Sequence, residues 1–133
     1  MKKDKYTSKT MQPMRTQSDI DKVSSYFWNT NLRNYAMFIT GLYTGRRISD
    51  LVALNVRDVA CVDRRGRFAI RERLKIREVK TGKFIDLILH THARRALSKY
   101  LRKRKREAVS VGALLNEPLF RSQKPRRNGE HRL

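Results

Sequence analysis

The sequence predicts an α+β fold in which helices come first, followed by a small antiparallel three-stranded sheet and a further helix. Two observations support this. Apolar residues recur at helical spacing before residue 56 and again after about residue 91. Between these segments they alternate with charged residues, which is typical of half-exposed strands. Because the helical and strand segments are separated along the chain, the order favours the α+β class.

Three helices are predicted before the sheet. The first begins after Thr16, because Thr16-Gln17-Ser18-Asp19 is an acidic variant of the capping box, and it ends at Asn29 or Asn31. The second is largely apolar and ends at Gly45, as expected for a helix-ending glycine. The third is short and covers residues 48–54. Its predicted inward-facing residues are Ile48, Leu51, Val52 and Leu54. The second helix is predicted to bury Tyr35, Phe38 and Tyr43 in the core.

The strands of the predicted sheet are separated by two turns. Asp63-Arg64-Arg65-Gly66 forms the first turn, and Thr81-Gly82 lies in the second. The apolar residues that alternate with charged ones before the second turn are Phe68, Ile70, Leu74, Ile76 and Val79. Those on the returning strand are Phe84, Ile85, Leu87 and Leu89.

A helix from about Thr91 follows the sheet and is predicted to run to Gly112. Its five consecutive basic residues, Arg102 to Arg106, are interpreted as a solvated helix end rather than a specific DNA contact. His90 and His92 lie at its start, and without two further spaced ligands they do not predict a metal site. After a final apolar segment, the basic residues 121–133 are predicted to form a turn.

The charge balance points to a polyanionic partner. The 133 residues include 32 Lys and Arg against 12 Asp and Glu, a net charge of +20. Enough large apolar residues are present for a core, which argues against a disordered basic tail. No apolar run is long enough for a transmembrane helix or a signal peptide, and the single Cys61 excludes an internal disulfide and a multi-cysteine zinc site. We therefore expect a soluble protein of a reducing compartment that binds nucleic acid.

Two motifs resemble those of the tyrosine recombinase (phage integrase) family. Thr44-Gly45-Arg46-Arg47-Ile48-Ser49-Asp50-Leu51 is similar to the first box of that family, Thr-Gly-x-Arg-Ile-Ser-Glu-Leu. Val79-Lys80-Thr81-Gly82-Lys83 resembles its lysine-bearing hairpin turn. The resemblance implies that residues 15–133 are the front part of a recombinase catalytic domain, truncated before the second catalytic box. It implies that residues 1–14 are a basic arm or the remnant of a linker.

The chemistry of these residue types suits a phosphodiester. A guanidinium donates two hydrogen bonds to non-bridging oxygens, where negative charge accumulates during attack. The spacing leaves open whether Arg46 or Arg47 has this role; the resemblance implies Arg47. It also implies that Lys80 is the general acid that protonates the departing 5′ oxygen, with Lys83 and Lys75 as alternatives.

Asp50 lies three residues after Arg47 and is predicted to orient Arg47 or Arg46. The residues predicted to bind DNA around this site are Arg46, Lys75, Arg77 and Lys83. The competing interpretations are an ordinary surface ion pair for Arg47 and Asp50, and a solvated turn lysine for Lys80.

Other parts of the family pattern have no match in this sequence. The family carries a His-x-x-Arg box and, after it, a nucleophilic tyrosine; His131-Arg132 has the wrong spacing for that box. None of the tyrosines occupies the nucleophile's place; they are Tyr6, Tyr26, Tyr35, Tyr43 and Tyr100. The family acts through a phosphotyrosine without a metal or nucleotide cofactor. We therefore expect the chain, as it stands, not to cleave DNA.

The resemblance also implies partners and a location. We expect the chain to bind double-stranded DNA, to self-associate on it, and to have no membrane partner. We expect it in the cytoplasm, associated with the nucleoid in a prokaryote. Two alternatives stay open: a non-catalytic basic DNA-binding module of the same fold, and a ribosomal or RNA-coating protein. The net charge suits the second alternative, but the Arg47 box does not.

Overall fold

A computed structural model describes residues 16–121, which form six helices and four strands. The predicted basic arm over residues 1–14, and nearly all of the predicted basic turn after residue 120, lie outside the described residues. The helices are α1 (Gln17–Thr30), α2 (Leu32–Thr44), α3 (Ile48–Val52), α4 (Val56–Val59), α5 (Thr91–Glu107) and α6 (Val111–Leu115). The strands are β1 (Ala60–Val62), β2 (Phe68–Ile70), β3 (Arg73–Arg77) and β4 (Phe84–Ile88).

The first two helices begin and end as predicted. The backbone N–H of Asp19 donates to Oγ1 of Thr16 over 3.1 Å, which caps α1. Asn31 separates the two helices, and its side-chain oxygen accepts from the N–H of Asn34 to cap α2. Gly45 ends α2 in the left-handed region, with φ of 68°. Local capping chemistry therefore determines both helices.

The strands form two antiparallel ladders, β1–β2 and β3–β4, rather than the predicted single sheet of three strands. The α+β class is confirmed, but the number of strands differs. The chain bends between the two ladders, at Arg71 and Glu72. The N–H of Arg71 donates to the carbonyl of Val59 and extends the β1–β2 ladder, and the carbonyl of Glu72 accepts from the N–H of Leu89 and extends the β3–β4 ladder. The additional strand results from this bend, because the alternating apolar residues from Phe68 to Ile76 are divided between two strands, β2 and β3.

Two predictions about the helices are wrong, and one short helix was not predicted. Ile48 and Val52 face solvent, at 63% and 43% exposure, because one and a half turns of α3 leave room for only one buried row. Helix α5 ends at Glu107 instead of Gly112. The backbone is extended at Ala108, and Ser110 then caps a separate helix, α6, which contains Gly112. Helix α4, which has four residues, was not predicted.

The core lies where α2 and α5 pack together and against the inner faces of the strands. Its largest fully buried apolar residues are Leu51, Leu74, Ile76, Leu89, Leu97, Leu101, Leu114 and Leu119. Tyr43 does not join this core as predicted. It is 41% exposed at the end of α2 and stacks on the His90 ring, with 4.4 Å between the ring centroids. Tyr35 and Phe38 are half-buried.

Arg104 departs from the prediction of a solvated basic helix end. Its position on α5 places it on the same side as Tyr100 and Leu97, so its side chain enters the core and is 3% exposed. The guanidinium donates to the Tyr100 hydroxyl, to the Pro118 and Leu119 carbonyls and to the Glu117 carboxylate, over 2.6–3.0 Å. Arg104 therefore holds the segment after α6 against α5, while its neighbours in the basic run are exposed.

Candidate functional site

The arginine loop, residues 45–47, joins α2 to α3. Gly45 takes the left-handed conformation that a side chain would disfavour, and the chain turns there. Arg47 then caps α3 with its backbone, since its carbonyl accepts from the N–H groups of Asp50 and Leu51 over 3.0 and 3.1 Å. Within residues 16–121 the exposed Arg47 side chain makes no hydrogen bond or ion pair. Its backbone is anchored and its guanidinium is free to bind a ligand.

The lysine hairpin, residues 78–83, joins β3 to β4 and is internally hydrogen-bonded. The N–H of Glu78 donates to the carbonyl of Lys83, and the N–H of Gly82 donates to the carbonyl of Glu78, both over 2.8 Å. The hydroxyl of Thr81 donates a further hydrogen bond to the Glu78 carboxylate over 2.8 Å. Gly82 has φ of 75°, which the turn requires. Lys80 lies exposed on this ordered turn.

Two side-chain contacts hold the lysine hairpin on the arginine loop and α3. The buried carboxylate of Asp50 accepts from the backbone N–H of Val79 over 2.8 Å. Nη1 of Arg46 pairs with Oε2 of Glu78 over 3.0 Å. These contacts flank Arg47 on one segment and precede Lys80 on the other. The fold thus brings together the two segments that carry the predicted site residues, although they are distant in the sequence.

Asp50 and Arg46 have contacts other than those predicted. Asp50 was expected to orient Arg47 or Arg46, but its carboxylate lies against the lysine hairpin and is bonded to the Val79 backbone. Arg46 was expected to bind phosphate, but its guanidinium is engaged by Glu78, and its Nε is buried without a hydrogen-bond partner among the described residues. A side chain that is 24% exposed and already paired is poorly placed for an additional anion.

The role of Glu78 was not predicted from the sequence, because it depends on the ion pair with Arg46, which is 32 positions away along the chain. The hydrogen bond from Thr81 lowers the pKa of Glu78, with further lowering by the hydrogen bond and charge of Arg46; burial and the charge of Asp50 act in the opposite direction. The carboxylate therefore stays ionised at neutral pH, and the ion pair with Arg46 persists. The only signal in the sequence was an acidic residue immediately before the Val79-Lys80 motif.

The remaining predicted DNA-binding residues lie exposed on or beside the same hairpin. On β3 the side chains alternate, so Lys75 and Arg77 point outward while Leu74 and Ile76 are buried. Lys75 lines a groove with Asp50, Glu78 and Phe84. The Arg77 guanidinium lies 5.7 Å from the centre of the exposed Phe84 ring, and Lys83 is exposed at the end of the turn. Strand β3 and the lysine hairpin together present four exposed cations without an acidic partner among the described residues, Lys75, Arg77, Lys80 and Lys83; Arg73, also exposed on β3, pairs with Asp86.

His90 has a local structural role at the start of α5. Nδ1 of His90 accepts from the N–H of His92 over 3.1 Å and caps α5. Among residues 16–121 no group of three or more His, Cys, Asp or Glu side chains is arranged to hold a metal ion. In the same part of the chain, no helix combines the length and the apolar character needed to cross a membrane.

Comparison with known proteins finds relatives among recombinases. The chain is 30% identical over 117 residues to a protein of Bacillus subtilis (strain 168) named "Probable integrase/recombinase YoeC", covering 88% of this chain and 55% of that protein. The chain thus spans about half the length of this curated relative. Its fold is similar to the crystal structure of XerA recombinase, with a TM-score of 0.58 and 24% identity, covering 86% of this chain and 36% of XerA. No protein-family profile matches the chain.

Proposed function

The chain belongs to the tyrosine recombinase (phage integrase) family, and on this premise we propose that it provides part of a site for DNA strand cleavage and rejoining. In this proposal the arginine loop binds the scissile phosphate and the lysine hairpin donates a proton. The observation that carries the proposal is the docking of the two segments through the Asp50–Val79 and Arg46–Glu78 contacts. Without this docking, Arg47 and Lys80 would be unrelated surface cations.

The proposed chemistry divides the work between the two side chains. The Arg47 guanidinium donates two hydrogen bonds to the non-bridging oxygens, where charge builds up as a tyrosine oxygen attacks phosphorus. The bond between phosphorus and the 5′ oxygen then breaks, and the Lys80 ammonium protonates the departing oxygen. Lys75, Arg77 and Lys83 contact flanking phosphates. No tyrosine of this sequence is assigned as the nucleophile. Tyr100 is unsuited because its hydroxyl is buried and donates to the carbonyl of Leu119.

DNA binding by the chain itself is the first test. Because phosphate contacts release counterions, the affinity for a duplex should fall by orders of magnitude between about 50 and about 200 mM salt if six or more phosphates are neutralised. Lys75→Gln/Lys83→Gln should reduce the slope of log affinity against log salt by about two, at roughly 0.9 per contact. Undetectable duplex binding at low salt, or a flat salt titration, would refute the proposal. A preference for structured RNA over duplex DNA would favour an RNA-coating role instead.

The division of roles is tested in a chimera in which this chain replaces the matching part of the Bacillus subtilis relative, where cleavage can be followed. Arg47→Ala should lower cleavage by about 10²- to 10³-fold and Lys80→Ala by about 10²- to 10⁴-fold. A substrate with sulfur in place of the bridging 5′ oxygen needs no proton on its leaving group. It should therefore rescue Lys80→Ala but not Arg47→Ala.

The matched control is Lys83→Ala, which removes a lysine of the same turn. It loses one flanking phosphate contact, so it should weaken DNA binding but retain the rate of cleavage of the oxygen substrate at saturating DNA. Rescue of Lys83→Ala instead of Lys80→Ala would transfer the acid role to Lys83. A chimera that binds DNA but does not cleave even the sulfur substrate would favour the non-catalytic DNA-binding module.

A further inference from the structure

A basic stripe runs along the outer side of α5, away from the arginine loop and the lysine hairpin. The α5 stripe consists of Arg95, Lys99, Arg102 and Arg106, all exposed. Spacings of four, three and four residues place them on one side of the helix, opposite the buried Arg104. At 1.5 Å per residue the stripe is about 16 Å long. It is thus a linear array of cations with a defined direction.

The charge of the α5 stripe is not compensated by the part of the chain that the structure describes. Helix α5 contains one acidic residue, Glu107, which pairs with Arg121 over 3.7 Å. None of the four stripe cations forms an ion pair within residues 16–121. Like charges four residues apart, as at Arg95 and Lys99, destabilise a helix. An external polyanion would remove this repulsion.

An exposed indole borders the α5 stripe at its middle. Nζ of Lys99 lies 4.7 Å from the centre of the Trp28 ring, which is itself 47% exposed. The rings of Trp28 and Tyr35 pack in a T-shaped arrangement, with 5.0 Å between the centroids, so the position of Trp28 is set by α2. Phosphate-binding cations beside an exposed aromatic face are typical of nucleic-acid-binding surfaces.

The α5 stripe extends away from the docked motifs. Helix α5 starts next to Tyr43, close to the arginine loop, because His90 and His92 pack on that ring. Further along α5, Lys99 contacts Trp28, which lies near the end of α1. That position is next to the start of α2, whereas Tyr43 and the arginine loop are at the end of α2. The α5 stripe is therefore a surface separate from the arginine loop and the lysine hairpin.

We propose that the α5 stripe is a second DNA contact, in which the four cations bind backbone phosphates and Trp28 lies against the bound strand. A duplex carries phosphates along its whole length, with a rise of 3.4 Å per nucleotide on each strand along the helix axis, so a stripe of about 16 Å has phosphates within reach along its length. A membrane surface is less suitable, because a helix lying on lipid exposes an apolar face and that of α5 is buried in the core. The inference depends on the proposed function only in taking DNA as the ligand.

Trp28 provides a local signal for the test because it is the only tryptophan of the chain. The protein is titrated with a duplex of arbitrary sequence, while DNA binding is followed by anisotropy of labelled DNA and Trp28 by its emission. Arg95→Gln/Arg102→Gln removes two exposed charges on either side of Lys99. The control, Lys75→Gln/Lys83→Gln, removes the same charge from β3 and the lysine hairpin. Thermal melting checks that both variants are folded.

Wild-type protein should show a change in Trp28 emission that saturates together with DNA binding. Arg95→Gln/Arg102→Gln should lose most of this change and reduce the salt slope by about two. Lys75→Gln/Lys83→Gln should bind more weakly but retain the full change at saturation.

DNA binding with unchanged Trp28 emission would refute the proposed DNA contact of the α5 stripe and leave the proposed function intact. A stripe variant that keeps the wild-type salt slope and emission change would do the same. An emission change with phosphatidylserine vesicles but not with DNA would also overturn it, in favour of a membrane contact. Absence of DNA binding by wild-type protein would refute the proposed function itself.

Discussion

Asp50→Ala tests whether a single buried carboxylate docks the lysine hairpin on α3. Asp50 is 3% exposed, and its Oδ1 accepts from the N–H of Val79 over 2.8 Å. A hydrogen bond to a charged group contributes about 1.5–3 kcal/mol, and its loss leaves the partly buried N–H of Val79 without an acceptor. We therefore expect the free energy of unfolding to fall by about 2–3 kcal/mol. For a domain of this size, that corresponds to a lowering of Tm on the order of 10 °C.

The assay combines urea unfolding with amide hydrogen exchange. Exchange at Val79 should accelerate much more than exchange at amides of the central core, because the hairpin detaches locally before the protein unfolds. Asp50→Asn keeps an oxygen acceptor without the charge and should give an intermediate loss.

Asp86→Ala is the matched control, on β4, the strand that follows the lysine hairpin. Asp86 pairs with Arg73 at the surface, where the two side chains are 51% and 60% exposed, so its loss should cost at most about 1 kcal/mol. The reasoning would be refuted if Asp50→Ala cost no more than Asp86→Ala. Equal exchange rates at Val79 in the two variants would refute it as well.

Three further predictions concern the other contacts that hold the site and its surroundings. Arg104→Met should lower the free energy of unfolding by about 3 kcal/mol or more in urea titrations, because it leaves Glu117 and the Pro118 carbonyl without their buried partner. The control, Lys103→Met on the exposed side of α5, should change the free energy of unfolding by less than about 0.5 kcal/mol. Because the pKa of Glu78 lies below its ordinary value of 4.5, the ionised carboxylate stabilises the folded state above pH 4.5. Glu78→Gln should therefore be less stable than wild type at neutral pH, and the difference in stability should shrink as the pH falls through the lowered pKa. A difference that stays the same on acidification would contradict this prediction. In a double-mutant cycle, Glu78→Gln should lower the free energy of unfolding less in the Arg46→Ala background than in wild type. Strictly additive losses of stability would show that the 3.0 Å ion pair contributes nothing to stability.

Local sequence chemistry was sufficient for the elements that depend on neighbouring residues. The cap at Thr16, the break at Asn31 and the left-handed end at Gly45 each act within four positions along the chain, so the sequence contains the whole interaction. The same holds for the turn at Gly82, where the donors and acceptors of the lysine hairpin lie between residues 78 and 83. The family motifs around Arg47 and Lys80 were visible for the same reason, because each is a short continuous segment.

The sequence by itself thus determined the fold class, the caps and turns, and the two segments that carry the candidate site. Only the tertiary structure decided that Asp50 binds the Val79 backbone, that Arg46 is engaged by Glu78, and that Arg104 is buried while the rest of its basic run is exposed. The physical reason is that a charged side chain takes the partner that packing brings within about 3 Å. Those partners come from other elements of the chain, which neither periodicity nor local spacing specifies.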